Sequence, residues 1–164
     1  MTFSIETDRL RLRPYTPEEA ERVAAGDRPE SGWTPGFPRE DDRAVARMFL
    51  AAPRTEPLFE PQLIELLGTG AVIGGIGFFG PPDAQGAVGL GYGVAPEAEG
   101  QGYATEALLA LLRRGFAEGG VRRALADTTH DNAASQRVLE KAGLRRTSSD
   151  DSLHYYALEN SLEG

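Results

Sequence analysis

Apolar and polar residues alternate at the start of the chain, where Ile5, Leu10 and Leu12 sit among Arg9, Arg11 and Arg13. A period of two predicts a β-strand over residues 5–13 that stops at Pro14. Thr16-Pro17-Glu18-Glu19 then combines an N-cap Thr, a Pro in the first turn and a Glu at the third position. This is a helix start, and Gly26 marks its end. Residues 27–38, rich in Gly and Pro, read as a loop around Trp33. Over residues 41–50 the spacing of Ala44, Val45, Met48 and Phe49 predicts a second helix, ended by Pro53. Strands at about 58–67 and 71–79 flank the hairpin turn Gly68-Thr69-Gly70. Pro81-Pro82-Asp83-Ala84-Gln85-Gly86 is a second hairpin loop, leading to a strand over 87–94.

A helix follows over about 102–117, with an apolar stripe of Ala104, Ala107, Leu108, Leu111, Leu112 and Phe116 ended by Gly119-Gly120. A strand over 121–128 comes next. Asp131 or Asn132 then caps a helix running to Ala142, with Gly143 as its C-cap. Segments 144–147 and 153–158 read as a closing pair of strands. With no repeat, low-complexity tract or linker, residues 1–164 read as a single mixed domain of the α/β (α+β) class. It is antiparallel early, with strand–helix–strand crossovers later.

Two neighbouring segments carry the candidate chemistry. In Ala87-Val88-Gly89-Leu90-Gly91-Tyr92-Gly93-Val94 one strand face holds Val88, Leu90, Tyr92 and Val94, and the other only Ala87 and three glycines. The bare face reads as the floor of a cofactor cleft. Directly after it, Glu99-Gly100-Gln101-Gly102-Tyr103-Ala104 is a glycine turn between a strand and a helix. There, unpaired helix-start N–H groups suit a phosphate. A plain tight connection would use the same glycines for positive φ. Gly75-Ile76-Gly77-Phe78-Phe79-Gly80 spells a dinucleotide fingerprint, but Pro81-Pro82-Asp83 follows where a helix should start, so it reads as a glycine-bearing strand.

Composition narrows the partners. The net charge of −8 is spread evenly, with 13 acids and 9 bases in residues 1–70 and 12 and 8 in residues 71–164. Neither half is a basic patch, which disfavours nucleic acid. No apolar run approaches a membrane span, and the N-terminus lacks a signal pattern. The absence of Cys suits a cytoplasmic protein and excludes a thiolate nucleophile or zinc site. Only His130 and His154 remain as imidazole ligands, so no metal is expected. Exposed sheet edges leave room for a homodimer.

The segments 100–107 and 131–144, with Glu6-Thr7-Asp8-Arg9-Leu10-Arg11-Leu12-Arg13-Pro14 and Gly91-Tyr92, resemble the GNAT superfamily of acyl-CoA-dependent N-acetyltransferases. The likeness is greatest to the Rim-type branch that acetylates ribosomal-protein N-termini. The resemblance implies a central mixed, mainly antiparallel sheet whose fourth and fifth strands splay apart around acetyl-CoA, flanked by about four helices. It implies that the amides of Gly100, Gln101, Gly102, Tyr103, Ala104 and Thr105 bind the diphosphate. The backbone of Val94 and Ala95 would pair with the pantetheine arm. Asn132 and Ser135 would face the co-substrate, although Asn132 serves equally well as a helix cap. The implied reaction is direct attack of a primary amine, either a protein N-terminal α-amine or a small amine, on the thioester.

Three positions depart from the family pattern. Glu99 stands where Arg or Gln is usual. Gly89 stands where many relatives place a Glu assigned as the base that deprotonates the amine, directly or through water, and Leu139 where many carry a Tyr that protonates the leaving thiolate. Ser135 is then the catalytic candidate for assisting the thiolate. Glu60 is a candidate base or a solvated strand carboxylate. The bare glycine face implies a roomy acceptor side, and Trp33, Tyr155 and Tyr156 either line it or pack structurally. An acyl-CoA-binding sensor or interaction module with the same fold is the alternative.

Overall fold

The alternation at the start of the chain produces two short strands rather than one. In the computed structural model, which describes residues 3–52 and 55–160, β1 (Ile5–Glu6) folds back on β2 (Leu10–Pro14). The Thr7 N–H donates to the Leu10 carbonyl at 2.9 Å, and the Thr7 hydroxyl accepts the Leu10 N–H at 3.0 Å. Side-chain bonding of this kind competes with a continuous ladder, and the strand expected over 5–13 breaks there.

Helix α1 (Pro17–Ala25) carries both halves of the Thr16/Glu19 capping box and ends at Gly26 with φ 69°. Helix α2 (Glu40–Ala51) forms close to the expected span, but it buries a different face. Asp42, Ala46 and Phe49 are buried, whereas Met48 is 63% exposed. Asp42 can be buried because Arg39 donates to it from its backbone N–H, Nε and Nη2, each at 2.9 Å. A charge-assisted bidentate pair offsets desolvation that an apolar pattern cannot register. Pro53, expected to end this helix, lies outside the described residues.

The segment expected as one strand over 58–67 opens with a 3₁₀ turn at Pro57–Phe59, and β3 covers only Gln62–Leu66. Prolines at 57 and 61 cannot donate to a ladder. Next come β4 (Val72–Phe78), β5 (Ala87–Val94), α3 (Tyr103–Glu118), β6 (Arg123–Thr129), α4 (Ala133–Lys141), β7 (Arg145–Ser149) and β8 (Leu153–Glu159). The eight strands form one sheet in the order β1-β2-β3-β4-β5-β6-β8-β7. Only the β5–β6 pair is parallel. The fold is the expected one: a mainly antiparallel mixed sheet with four helices.

The sheet buries a core on each face. Leu10, Leu12, Ile76, Leu90, Leu108 and Leu111 belong to the larger core, with α3 and α4. Tyr15, Val23, Phe37, Phe49 and Leu63 form the smaller one, with α1 and α2. Leu108 and Leu111 are fully buried, so truncating either to Ala should cost about 2–5 kcal/mol. No helix among the described residues is long and apolar enough to cross a membrane.

Candidate functional site

The site begins where pairing stops. β5 pairs with β6 only from Ala87 to Gly89, against Arg123 to Leu125. Beyond that the two strands part. The splay falls between the fifth and sixth strands by chain count, one later than expected, because the first strand is split in two. On its other edge β5 pairs with β4 through Tyr92 opposite Ile76 and Val94 opposite Gly74. The bond from Ala95 N–H to the Ile73 carbonyl, at 2.7 Å, makes Val94/Gly74 a non-hydrogen-bonded pair. By the same alternation the N–H and C=O of Tyr92 and Val94 point away from β4, into the splay. Ala95 differs: its N–H is spent on Ile73 and its carbonyl accepts from Ala98 at 2.9 Å. Of the two residues expected to pair with pantetheine, Val94 alone presents its backbone to the gap.

A cavity of about 230 Å³ occupies the splay, and Gly91, Tyr92, Asp127, Asn132 and Ser135 are among its lining residues. Ser135 reaches it from the first turn of α4. Its Oγ shares a 2.8 Å hydrogen bond with the Tyr92 hydroxyl, which also donates to the Ser135 carbonyl at 3.2 Å. Burial pushes the Tyr92 pKa up, outweighing the lowering effect of the Ser135 bond. Tyr92 therefore holds its proton at neutral pH. Asn132 lines the cavity and also caps α4, its Oδ1 accepting the Ser135 N–H at 3.0 Å. Leu139 is fully buried in the core and takes no part in the site.

At the end of β5 the chain passes through a 3₁₀ turn, Pro96–Ala98, and enters α3 through Gly100 and Gly102, with φ 78° and 82°. A left-handed conformation costs other residues about 1–2 kcal/mol, which is why glycine stands at both. Gly102 is the N-cap of α3 and supplies no side-chain acceptor, so no side chain caps that end. Glu99 is exposed, as are Gly100, Gln101 and Gly102, and Tyr103, Ala104 and Thr105 form the first turn of α3. Arg9 lies against this turn from the β1–β2 hairpin, donating from Nη1 to the Gln101 carbonyl at 3.0 Å.

Gly91 lines the cavity, but the glycine face as a whole is turned away from α3. Leu90 and Val94 pack toward α3, so strand alternation turns Gly89, Gly91 and Gly93 to the opposite side of the sheet. That side is not simply roomy. A Cβ at Gly89 would lie 3.1 Å from the Phe79 ring and one at Gly91 only 2.8 Å from it, while Arg39 covers Gly93. Phe79 itself is 65% exposed. The fingerprint-like Gly75 and Gly77 lie in β4 directly across from Gly93 and Gly91, in agreement with their reading as strand glycines.

Asp127, which no sequence pattern singles out, also lines the cavity. Leu125 pairs with Gly89, so Asp127, two residues on, shares the glycine face, and it is exposed. It is the sole carboxylate among the residues lining the cavity. Tyr155 stands opposite it on β8 and donates to Asp150 at 2.5 Å. Trp33 packs edge-on against Phe37 at 5.2 Å, and Tyr156 is buried in the core, so both are packing residues. Glu60 is not on a strand but caps the 3₁₀ turn before β3. Among the described residues no cluster of three or more His, Asp or Glu is placed to hold a metal ion.

The acetyltransferase (GNAT) domain family matches residues 9–145 of the chain. The chain is 29% identical over 147 residues to the uncharacterized N-acetyltransferase YoaA of Bacillus subtilis (strain 168), covering 87% of this chain and 82% of that protein. It is 36% identical over 72 residues to the uncharacterized N-acetyltransferase YjdG of the same strain, a match spanning 44% of this chain and 43% of YjdG. In structure it is similar to RimL, a ribosomal L7/L12 alpha-N-protein acetyltransferase in complex with coenzyme A. The TM-score is 0.71 at 17% identity, with 96% of this chain and 98% of that one covered.

Proposed function

The chain belongs to the acetyltransferase (GNAT) domain family, and on that premise we propose that it transfers an acetyl group from acetyl-CoA to a primary amine in the β5–β6 splay. The observation that carries the reading is the splay itself: the Val94 backbone faces it, and the α3 start uncapped by any side chain lies just beyond the end of β5. These features fit the co-substrate's two ends, an amide-bearing arm and a diphosphate.

Acetyl-CoA supplies an activated acetyl thioester. The amides from Gly100 to Thr105 would receive the diphosphate, and the Val94 carbonyl would accept from the arm. The Val94 N–H, aimed into the gap, would donate to the thioester oxygen as it gains charge. Asn132 and Ser135 would line the arm's path. Ser135 would deliver its hydroxyl proton to the leaving sulfur and take one in turn from the protonated Tyr92 hydrogen-bonded to it, which solvent reprotonates. Asp127 would take the proton of the attacking amine from the glycine face, a role worth about 10²–10⁴-fold. Much of the remaining rate would come from holding amine and acyl carbon together.

A protein N-terminal α-amine is the acceptor we infer. Its pKa near 7.7–8.0 asks little of an exposed carboxylate base. RimL, similar in fold, is itself an alpha-N-protein acetyltransferase. The test is release of free CoA, with products weighed by mass spectrometry, using pentapeptides with free α-amines, their α-blocked lysine counterparts, and spermidine. Turnover concentrated on the free α-amines is the expected result. Turnover on lysine or spermidine alone would overturn the acceptor. Binding of acetyl-CoA without turnover on any amine would leave a sensor in place of the enzyme.

A further inference from the structure

We propose that Arg9 clamps the diphosphate turn, fixing the direction of the Gly102 N–H and cancelling the charge of Glu106 at the start of α3. The inference rests on the reading above, that the turn receives the diphosphate of acetyl-CoA. Its own basis is a set of contacts made between residues 92 to 99 positions apart in the chain.

Arg9 Nε donates to Glu106 Oε1 at 2.7 Å, and its backbone N–H to Glu106 Oε2 at 3.1 Å. The Thr7 hydroxyl donates to the same Oε2 at 2.5 Å. The guanidinium lies over the Tyr103 ring, 4.4 Å from its centroid, and a Cβ at Gly102 would stand 3.4 Å from Nη2. Nη1 holds the Gln101 carbonyl at 3.0 Å.

Two consequences follow. A trans peptide sets C=O and N–H antiparallel, so tying the Gln101 carbonyl to Arg9 aims the Gly102 N–H the opposite way. The turn's donor is then oriented before a ligand arrives. The second consequence concerns charge. Glu106 sits in the first turn of α3, where its carboxylate suits the helix dipole but opposes an incoming diphosphate. Burial pushes the Glu106 pKa up, yet the bonds from Thr7 and Arg9 outweigh it and hold the group ionised. Arg9 is the cation that offsets it. The family position now filled by Glu99 supplies none, so the positive charge at this turn comes from the opposite end of the chain. The β1–β2 hairpin that breaks the expected strand is what carries Arg9 there.

The test compares acetyl-CoA with acetyl-pantetheine, which lacks the diphosphate, by calorimetry and by competition. Arg9→Ala should raise the Kd for acetyl-CoA about tenfold or more and leave that for acetyl-pantetheine unchanged. Arg9→Ala/Glu106→Gln should recover part of the loss, since the orphaned carboxylate is gone. Circular dichroism melts show whether each variant is folded. Arg9→Lys keeps the charge without the fork and serves if Arg9→Ala does not fold. It should weaken acetyl-CoA less than Arg9→Ala but more than threefold. Equal acetyl-CoA affinity in the folded variant and wild type would overturn the clamp while leaving the cofactor site standing. An equal loss for both ligands would also overturn it, as general damage to the cleft. Wild-type protein that binds neither ligand would overturn the site and the clamp together.

Discussion

The two sides of the β5–β6 splay are made of different material. On the side of α3 the surface is largely backbone, the Val94 N–H and C=O and the turn between Glu99 and Thr105, with Tyr92, Asn132 and Ser135 as the side chains that join it. On the glycine side it is side chains gathered from separate elements: Phe79 after β4, Arg39 before α2, and Asp127 on β6. A backbone site follows from chain geometry, so changes there should act on affinity for the co-substrate. A side-chain site is chosen residue by residue, so changes there should act on the acceptor and on turnover.

The sharpest way to break this division is Asp127→Asn. It should lower kcat by about 10²-fold with an unchanged Kd for acetyl-CoA. Steady-state kinetics beside calorimetry would check both, and a matched fall in affinity would erase the distinction. Gly102→Val acts on the other side. At φ 82° a branched residue is strained, and its Cβ would meet Arg9 Nη2 at 3.4 Å. We expect about tenfold weaker acetyl-CoA binding and a loss of about 1–3 kcal/mol in stability by chemical denaturation.

Gly89→Glu has a smaller predicted effect and a more pointed one. Restoring the family carboxylate pushes a side chain into the Phe79 ring, at 3.1 Å from the new Cβ. Turnover should fall a few-fold, with a stability loss of about 1–3 kcal/mol. Adding Phe79→Ala should relieve part of both. If Gly89→Glu alone raises turnover, Asp127 is not the base. Last is Glu99→Arg, which removes an exposed like charge beside the turn. It should tighten acetyl-CoA binding about two- to fivefold, the equivalent of 0.3–1 kcal/mol.

The same division explains what could be read from the sequence. The backbone side was legible because its requirements are written locally. Gly100 and Gly102 announce positive φ, Asn132 announces a cap, and the alternation from Ala87 to Val94 announces a strand with one bare face. What lies over that bare face is set by which strands meet, and no local pattern places Phe79 on Gly91 or Asp127 across the gap. Arg9 was visible as part of an alternating strand and of a family-like segment, but not as a partner of the turn, because Glu106 lies 97 residues away. Asp42 hid for a related reason, as a charge buried by an ion pair leaves no hydrophobic trace. The order of elements was legible, but three details were not: the strand broken at Thr7, where a threonine hydroxyl outcompeted the ladder, the 3₁₀ turn that replaces the start of β3, and the face that α2 buries.

One measurement reaches the central claim, that the splay is an acetyl-CoA site. It is calorimetric titration of the purified protein with acetyl-CoA at moderate salt. A 1:1 isotherm with a Kd in the micromolar range, about −8 kcal/mol, is the expected result. No heat of binding up to millimolar acetyl-CoA would contradict it, and the splay would then be a feature of the fold without a ligand of this class.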